Sequence, residues 1–507
     1  MSLLKRNILA NFGGQAANAV IALIAVPLYI RFLGTEGFGL VSFLLALQGL
    51  TGVLDFGLST TANREVSRYR AQQRSEFDRR TLVRTLEIVY YGTGALIFVL
   101  VAATAPWLSM SWFETTQFDA DILRTTLLIA GASIALRWPT ALYQGILRGT
   151  ERQVALNLIN TLAALLRGIG TILVLLLVAR TVIAFYWWQL LFASIELAAV
   201  VAVASGGNTG FSGRRGRFEW PVLRDLWRFS ARVGALSLFA LLLKQLDKIL
   251  ISRLLPISYL GFYNAAYMAS NGITKVGQPI QGAVFPRLTH LYEQQDWPAL
   301  AKTFHRCCQL TAFVTVPCAA VLLFFPSDVL WLWTRNQELT AQASPALSVL
   351  ACAMMLNSMM SVPFSLQLAA GLTRLPLLTN AVALLVMAPM IVVLTKSYGL
   401  VGAAVAWLVG NALYYIVVPH FMFRRVLKGH HRTWVLRDTL PLLLSGTGCL
   451  GLARWMVGDG TLGIKIMAIV AALLVYALLV LGTNMDLRKT VIGSLPLTRL
   501  KSPVGTR

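Results

Sequence analysis

The sequence predicts an all-α polytopic membrane protein of about fourteen transmembrane helices, on three observations. Hydrophobic residues make up 57% of the 507-residue chain and charged residues only 13%, with a mean hydropathy of +0.67. A soluble chain of this length needs about a quarter of its residues charged to cover its surface. Apolar runs near twenty residues recur from end to end, and basic clusters separate them in alternation.

The expected spans centre near residues 19, 48, 95, 134, 167, 193, 241, 272, 315, 356, 385, 411, 448 and 474. MSLLKR runs into a helix bearing Asn11, Gln15 and Asn18, without the small-residue cleavage site of a secretory signal, so the first span is expected to stay. With the N-terminus inside, about thirty of the Lys and Arg residues fall on the inner side. Arg31, Arg180, Arg253, Arg335, Lys396, Arg454 and Lys465 fall outside. This bias predicts a multi-pass protein of the cell inner membrane with both termini cytoplasmic. The net charge of +23 is then a topology signal, carried by runs such as 64–80, 213–220 and 424–432. Anionic headgroups of membrane lipids are a secondary partner for these runs, and nucleic acid is not expected.

Five cysteines, an odd number, fall in or near spans and suggest packing rather than a disulfide framework. His305 with Cys307 and Cys308 superficially resembles metal spacing, but no second ligand pair accompanies it, and no metal site is expected. The outside segments 111–121 and 326–342 are too short to be domains, and no GxxxxGK[ST] motif is present.

An internal repeat is visible. Arg31, Leu33 and Gly39 of RFLGTEGFG correspond to Arg253, Leu255 and Gly261 of RLLPISYLG, 222 positions on. Gln144, Thr150 and Asn157 correspond to Gln367, Thr373 and Asn380 at nearly the same offset. The expected organisation is a six-helix lobe over 1–205, a basic cytoplasmic linker over 206–227 and a second six-helix lobe over 228–427. Helices 13 and 14 and a cytoplasmic tail follow over 428–507. Parallel repeats of this kind place a substrate pathway between the halves.

Polar stripes run through several spans at helical spacing. In YNAAYMASNGITKVGQPIQ (263–281), Asn264, Tyr267, Asn271, Lys275 and Gln278 share one side. Span 1 has Asn7, Asn11, Gln15 and Asn18, and span 2 has Gln48, Thr51, Asp55 and Ser59. Span 4 has Arg137 and Gln144, span 7 Lys244, Asp247 and Lys248, and span 10 Asn357, Ser361 and Ser365. Hydrogen bonding between helices accounts equally well for the amides and hydroxyls. It fits the cations less well, because a lysine at the bilayer centre costs at least ~2.5 kcal/mol. Arg124 and Arg232 can snorkel, and Asp247 can neutralise one lysine beside it. A water-filled cavity with a cationic lining is the economical reading over scattered ion pairs, and it suits an anionic ligand. Gly272, Gly277 and Pro279, with Pro27 and Pro363, supply either hinges or fixed curvature.

RNILANFGGQ…PLYIRFLGTEGFGLVSF…LDFGLSTTANREV, across the first two spans, resembles the polysaccharide-transporter family that includes the O-antigen flippases. LDKILISRLLPISYLGFYNAAY (246–267) and YGLVGAAVAWLVGN (398–411) are similar to the same family's spans 7, 8 and 12. The resemblance places the chain in the multidrug/oligosaccharidyl-lipid/polysaccharide exporter superfamily. It implies two six-helix lobes around a central cavity, plus two C-terminal helices, and alternating access. It also implies a transporter rather than an enzyme, moving a polyprenyl-pyrophosphate-linked oligosaccharide for exopolysaccharide or O-antigen synthesis. A glycan polymerase and glycosyltransferases are the partners such a pathway implies. By position class, the cationic role falls to Arg137, Lys244, Lys248 and Lys275. Asn264, Asn271, Gln278, Asn11, Gln15, Asn18 and Gln48 are expected to meet sugar hydroxyls. No cofactor is expected; proton or sodium coupling would need a titratable group, for which Asp55 and Asp247 are the candidates. Alternatives are a cation-coupled multidrug exporter, for which Met354, Met355, Met359 and Met360 speak weakly, a peptidoglycan-precursor flippase, and a membrane glycan polymerase.

Overall fold

The computed structural model describes residues 3–55, 57–72, 76–206, 216–484 and 487–488; for 3–22, 53, 70, 76–77, 228–229 and 231–237 it describes the backbone alone. Part of the predicted linker, at 207–215, and most of the C-terminal tail lie outside the described residues. Among the described residues the regular structure is helical throughout, as the sequence predicts. The chain divides into two compact units, Met1–Asn264 and Ala265–Arg507.

In the first unit, α1 (Leu3–Thr51) is two helical stretches joined by a kink at Gly34, whose φ of 74° is left-handed. Its 49 residues would measure about 74 Å if straight, more than twice the bilayer core, so a reversal near its middle is required. Glycine takes that conformation without a Cβ clash. Beyond the turn, Glu36 fixes the loop 113–117. Its carboxylate accepts from Thr115 Oγ1, from Thr116 N and Oγ1 (3.2 and 2.8 Å) and from Gln117 N (3.0 Å). There follow α2 (Leu58–Ala71), α3 (Glu76–Trp107), α4 (Ala120–Arg137), α5 (Thr140–Gly149), α6 (Gln153–Leu177), α7 (Val182–Ser205) and α8 (Trp220–Leu254). Leu58, Ala62 and Val66 of α2 bury against Leu82, Leu86 and Tyr90 of α3 and Leu142 and Ile146 of α5, forming this unit's core.

Helix α9 (Ile257–Glu293) begins in the first unit and continues into the second, where α10 (Trp297–Phe324), α11 (Pro326–Thr334) and α12 (Gln337–Met359) follow. Next come α13 (Ser361–Ala369), α14 (Arg374–Arg425), the single turn α15 (His431–Thr433), α16 (Leu440–Val457) and α17 (Leu462–Thr483). Part of the segment 326–342, expected as an outside loop, is the short helix α11, with Asp328 in its first turn and Trp331 exposed. An acid at the positive helix end and an amphipathic tryptophan at the rim favour this over a loop. Helix α14 repeats the device of α1: its 52 residues turn at Gly399, φ 58°.

Nine segments of the described residues are long and apolar enough to cross a membrane, and every expected span centre lies within a helix. Helices α4, α8 and α9 are not among the nine. Large apolar side chains stand exposed along several of the nine, including Leu177 (79%), Trp455 (80%) and Leu478 (73%). In water such surface would be a liability; against acyl chains it is the expected face of a multi-pass membrane protein.

Candidate functional site

The predicted site residues separate into those that other side chains engage and those that stand free of the local core. On α8, Asp247 is fully buried and Lys248 nearly so. Lys248 Nζ lies 3.5 Å from Asp247 Oδ1 and donates to the Lys244 carbonyl at 2.9 Å. Tyr263 donates its hydroxyl to Asp247 Oδ2 at 2.8 Å. The lysine that Asp247 neutralises is therefore Lys248, while the side chain of Lys244 remains exposed. Asp55, the other coupling candidate, accepts from the Tyr90 hydroxyl (2.6 Å) and from Ser59 Oγ (2.7 Å).

Arg137 at the end of α4 meets Glu196 of α7 (Nη2–Oε2 3.6 Å), and Arg167 of α6 reaches the same oxygen at 3.9 Å. One half-buried carboxylate thus faces two guanidinium groups, leaving a net positive charge. Among the described residues, Arg137 Nε and Asn157 Nδ2 are buried without a hydrogen-bond partner. The sequence nominated Arg137 alone; Arg167 and Glu196 join it only because α4, α6 and α7 converge. The available signals were an isolated arginine and an isolated glutamate, each within an apolar span.

Asn264 is buried and donates Nδ2–H to Ser42 Oγ at 2.9 Å. Gln48 is half-buried, and its carbonyl accepts from Thr51 Oγ1. The side chains of Asn11, Gln15 and Asn18 lie outside the described residues.

The second-unit stretch of α9 has two distinct faces. Ser270, Ile273 and Gly277 are buried, whereas Lys275 and Gln278 are exposed and Asn271 is half-buried. Lys275 Nζ sits 3.5 Å from Gln278 Oε1, and Asn271 Oδ1 accepts from Thr274 Oγ1 at 2.8 Å. A β-carbon on Gly277 would lie 2.7 Å from Ser358 Oγ, so this glycine allows the buried face of α9 its close approach to α12. In the same unit Asn357 Nδ2 donates to Asn411 Oδ1 at 2.8 Å, and Asn411 Nδ2 in turn to the Trp407 carbonyl. Asn411 is a partner the stripe on span 10 did not reveal. Among the described residues no three His, Cys, Asp or Glu are placed to hold a metal ion.

Comparison with known proteins places this arrangement. Residues 4–292 match the family model described as polysaccharide biosynthesis protein, and residues 235–393 match that of the MatE family. The chain is 23% identical to a putative O-antigen transporter of Shigella flexneri over 409 residues, 80% of this chain and 94% of that one. A structure of the lipid II flippase MurJ in an inward closed conformation aligns with a TM-score of 0.70 at 14% identity, covering 93% of this chain and 98% of that chain. An inward-facing multidrug-resistance MATE family transporter aligns at 0.65 and 14% identity, covering 80% and 95%. The chain belongs to the polysaccharide biosynthesis protein family and shares the fold of the MurJ and MATE structures it aligns with.

Proposed function

We propose that this chain is a flippase that carries a polyprenyl-pyrophosphate-linked oligosaccharide from the inner to the outer leaflet of the bacterial inner membrane, with both termini cytoplasmic. The observation that carries the reading is the polar stripe of exposed Lys275 and Gln278 with half-buried Asn271, on a helix that buries Ser270, Ile273 and Gly277. A lysine facing lipid at depth costs at least ~2.5 kcal/mol, so the stripe is best accounted for by a polar, hydrated surface.

The chemistry fits the substrate. The prenyl tail stays in lipid, while the glycan and pyrophosphate cross beside polar side chains. In hydrocarbon each unsatisfied sugar hydroxyl would cost several kcal/mol. Amides such as Asn271 and Gln278 exchange hydrogen bonds with hydroxyls, and Lys275 beside them offsets the pyrophosphate charge. Alternating access, and proton or sodium coupling through Asp247 or Asp55, belong to the same proposal. Asp247 pairs with Lys248 and Tyr263, so a coupling role would require that ion pair to open.

The match to the MatE family favours a second reading, export of cationic drugs. The exposed lysines argue against it, because they repel a cationic ligand. Reconstituted vesicles distinguish the two: translocation of a lipid-linked oligosaccharide without transport of a cationic dye supports the flippase, and the reverse result supports the exporter.

A further inference from the structure

A second polar cluster lies in the Ala265–Arg507 unit, where the basic connection RRVLKGHHR (424–432) leaves α14. A cleft of about 740 Å³ opens there, lined by Trp297, Ala301, Arg425, Leu427, Lys428 and His430. Arg425 and Lys428 are exposed, and Trp297 at the start of α10 is 46% exposed. Leu427 takes a left-handed φ of 55°, and its side chain is buried in the core that also holds Leu300, Phe304 and Trp434.

Behind His430 runs a chain of polar contacts. His430 Nδ1 lies 2.8 Å from His305 Nε2 on α10, and His305 Nδ1 makes a short contact with Asp438 Oδ2. Asp438 is fully buried and sits in a π-helical turn, Trp434–Thr439, whose extra residue per turn re-aims side chains. Its other oxygen accepts from Gln309 Nε2 at 2.8 Å, and Gln309 Oε1 accepts from Asn484 Nδ2 at 3.2 Å. Carboxylate, imidazole and imidazole therefore form one line from the core to the cleft.

We propose that this cleft binds a phosphate-type anion and that binding takes up one proton on the Asp438–His305–His430 line. Arg425 and Lys428 supply two positive charges, and Arg offers a planar donor fork suited to phosphate oxygens. The histidine line decides whether His430 helps. With His305 neutral, its Nδ1–H serves Asp438, its Nε2 accepts from His430 Nδ1–H, and His430 Nε2 is left as a lone pair that repels an anion. With one added proton, His305 donates from both nitrogens: Nδ1–H to Asp438 and Nε2–H to His430 Nδ1. His430 then carries its own proton on Nε2 and donates it into the cleft. Burial and the neighbouring His305 ring lower the His430 pKa, against the opposing pull of Asp438, and an anion in the cleft reverses that effect. The groups facing His430 are His305 of α10, Asp438 of the π-helical turn, and Arg425 and Lys428 of its own connection.

The ligand is the headgroup of an anionic phospholipid or a soluble phosphate, which share this chemistry. Calorimetric titration of the full chain in neutral detergent separates them, using short-chain phosphatidylglycerol, short-chain phosphatidylcholine and inorganic phosphate as probes. Phosphatidylglycerol binding that phosphatidylcholine does not reproduce identifies a lipid headgroup; saturable inorganic phosphate binding alone identifies a soluble anion. In either case affinity is expected to rise several-fold from pH 8 to pH 6. Arg425→Gln with Lys428→Gln is expected to lower it at least tenfold, and His430→Gln to remove most of the pH step. Failure of all three probes to bind, or unchanged binding in the double variant, overturns the site. Binding that does not vary with pH overturns the proton uptake. The variants alter exposed or half-buried side chains, and a cooperative melting transition in detergent at pH 8 confirms that they fold. The proposal stands apart from the flippase reading, since none of its probes measures transport.

Discussion

Asn264 donates to Ser42 at 2.9 Å, and the two residues are 222 positions apart, the offset at which the sequence repeats. The same relation holds one turn earlier in both helices. A β-carbon on Gly39 would lie 2.0 Å from the Ile257 carbonyl oxygen, and one on Gly261 would lie 2.8 Å from that of Thr35. Thr35 and Ile257 are again 222 apart, as are Gly39 and Gly261. Reciprocal contact between equivalent positions is the pattern of a local twofold crossing, here between the second half of α1 and the start of α9.

Glycines let the two backbones approach, and the buried hydrogen bond adds less. Hydrogen bonds between membrane helices average about 0.6 kcal/mol, whereas overpacking a close contact costs typically ~1–3 kcal/mol. Gly39→Ala is therefore expected to lower the thermal midpoint in detergent clearly more than Asn264→Ala. Equal effects, or a larger one for Asn264→Ala, would show that the polar contact holds the crossing.

Glu196 holds Arg137 and Arg167 together. Removing one partner of a fully buried ion pair costs about 3–5 kcal/mol, and less here, where all three side chains are part-exposed. Glu196→Gln should destabilise, and Arg137→Gln added to it should restore part of the loss. A double variant no more stable than Glu196→Gln contradicts the pairing.

Asp247 and Lys248 make a second test of the same kind. Asp247→Asn is expected to destabilise by a few kcal/mol, and Lys248→Met in that background to recover most of it. If Asp247 also couples transport to an ion, the stable double variant still folds but loses the dependence of glycan translocation on a proton or sodium gradient. Gradient-dependent transport in that variant excludes Asp247 as the coupling group.

His430 gives a pH-dependent stability of defined sign. Its folded-state pKa is lowered by burial and by His305, so its contribution is fully present above the ordinary imidazole value of about 6.5. It is lost as pH falls through the lowered value. The melting temperature of the anion-free protein should therefore drop on acidification, and His430→Gln should make that drop smaller.

The fold class was legible in the sequence because burial in lipid leaves a compositional trace that needs no tertiary contact to read. The polar face of α9 was legible for the same reason, since Asn271, Lys275 and Gln278 recur at the helical period. The Gly34 and Gly399 turns lie between expected span centres and so agree with the span assignment. Partners were harder. Arg137, Arg167 and Glu196 sit on three helices, and nothing local in the sequence pairs them. His305 and Asp438 are 133 positions apart, and the π-helical turn that aims Asp438 has no simple residue signature. Periodicity states which side of a helix is polar, but not which helix it meets.

The central claim rests on Lys275. Leaflet-resolved detection of lipid-linked oligosaccharide, in vesicles containing equal amounts of folded wild-type, Lys275→Ala or Lys275→Arg protein, tests it most directly. The expected result is translocation by wild type, partial translocation by Lys275→Arg and none by Lys275→Ala. Wild-type rates in the alanine variant would contradict a substrate-facing role for this lysine. No translocation by the wild-type protein would contradict the flippase itself.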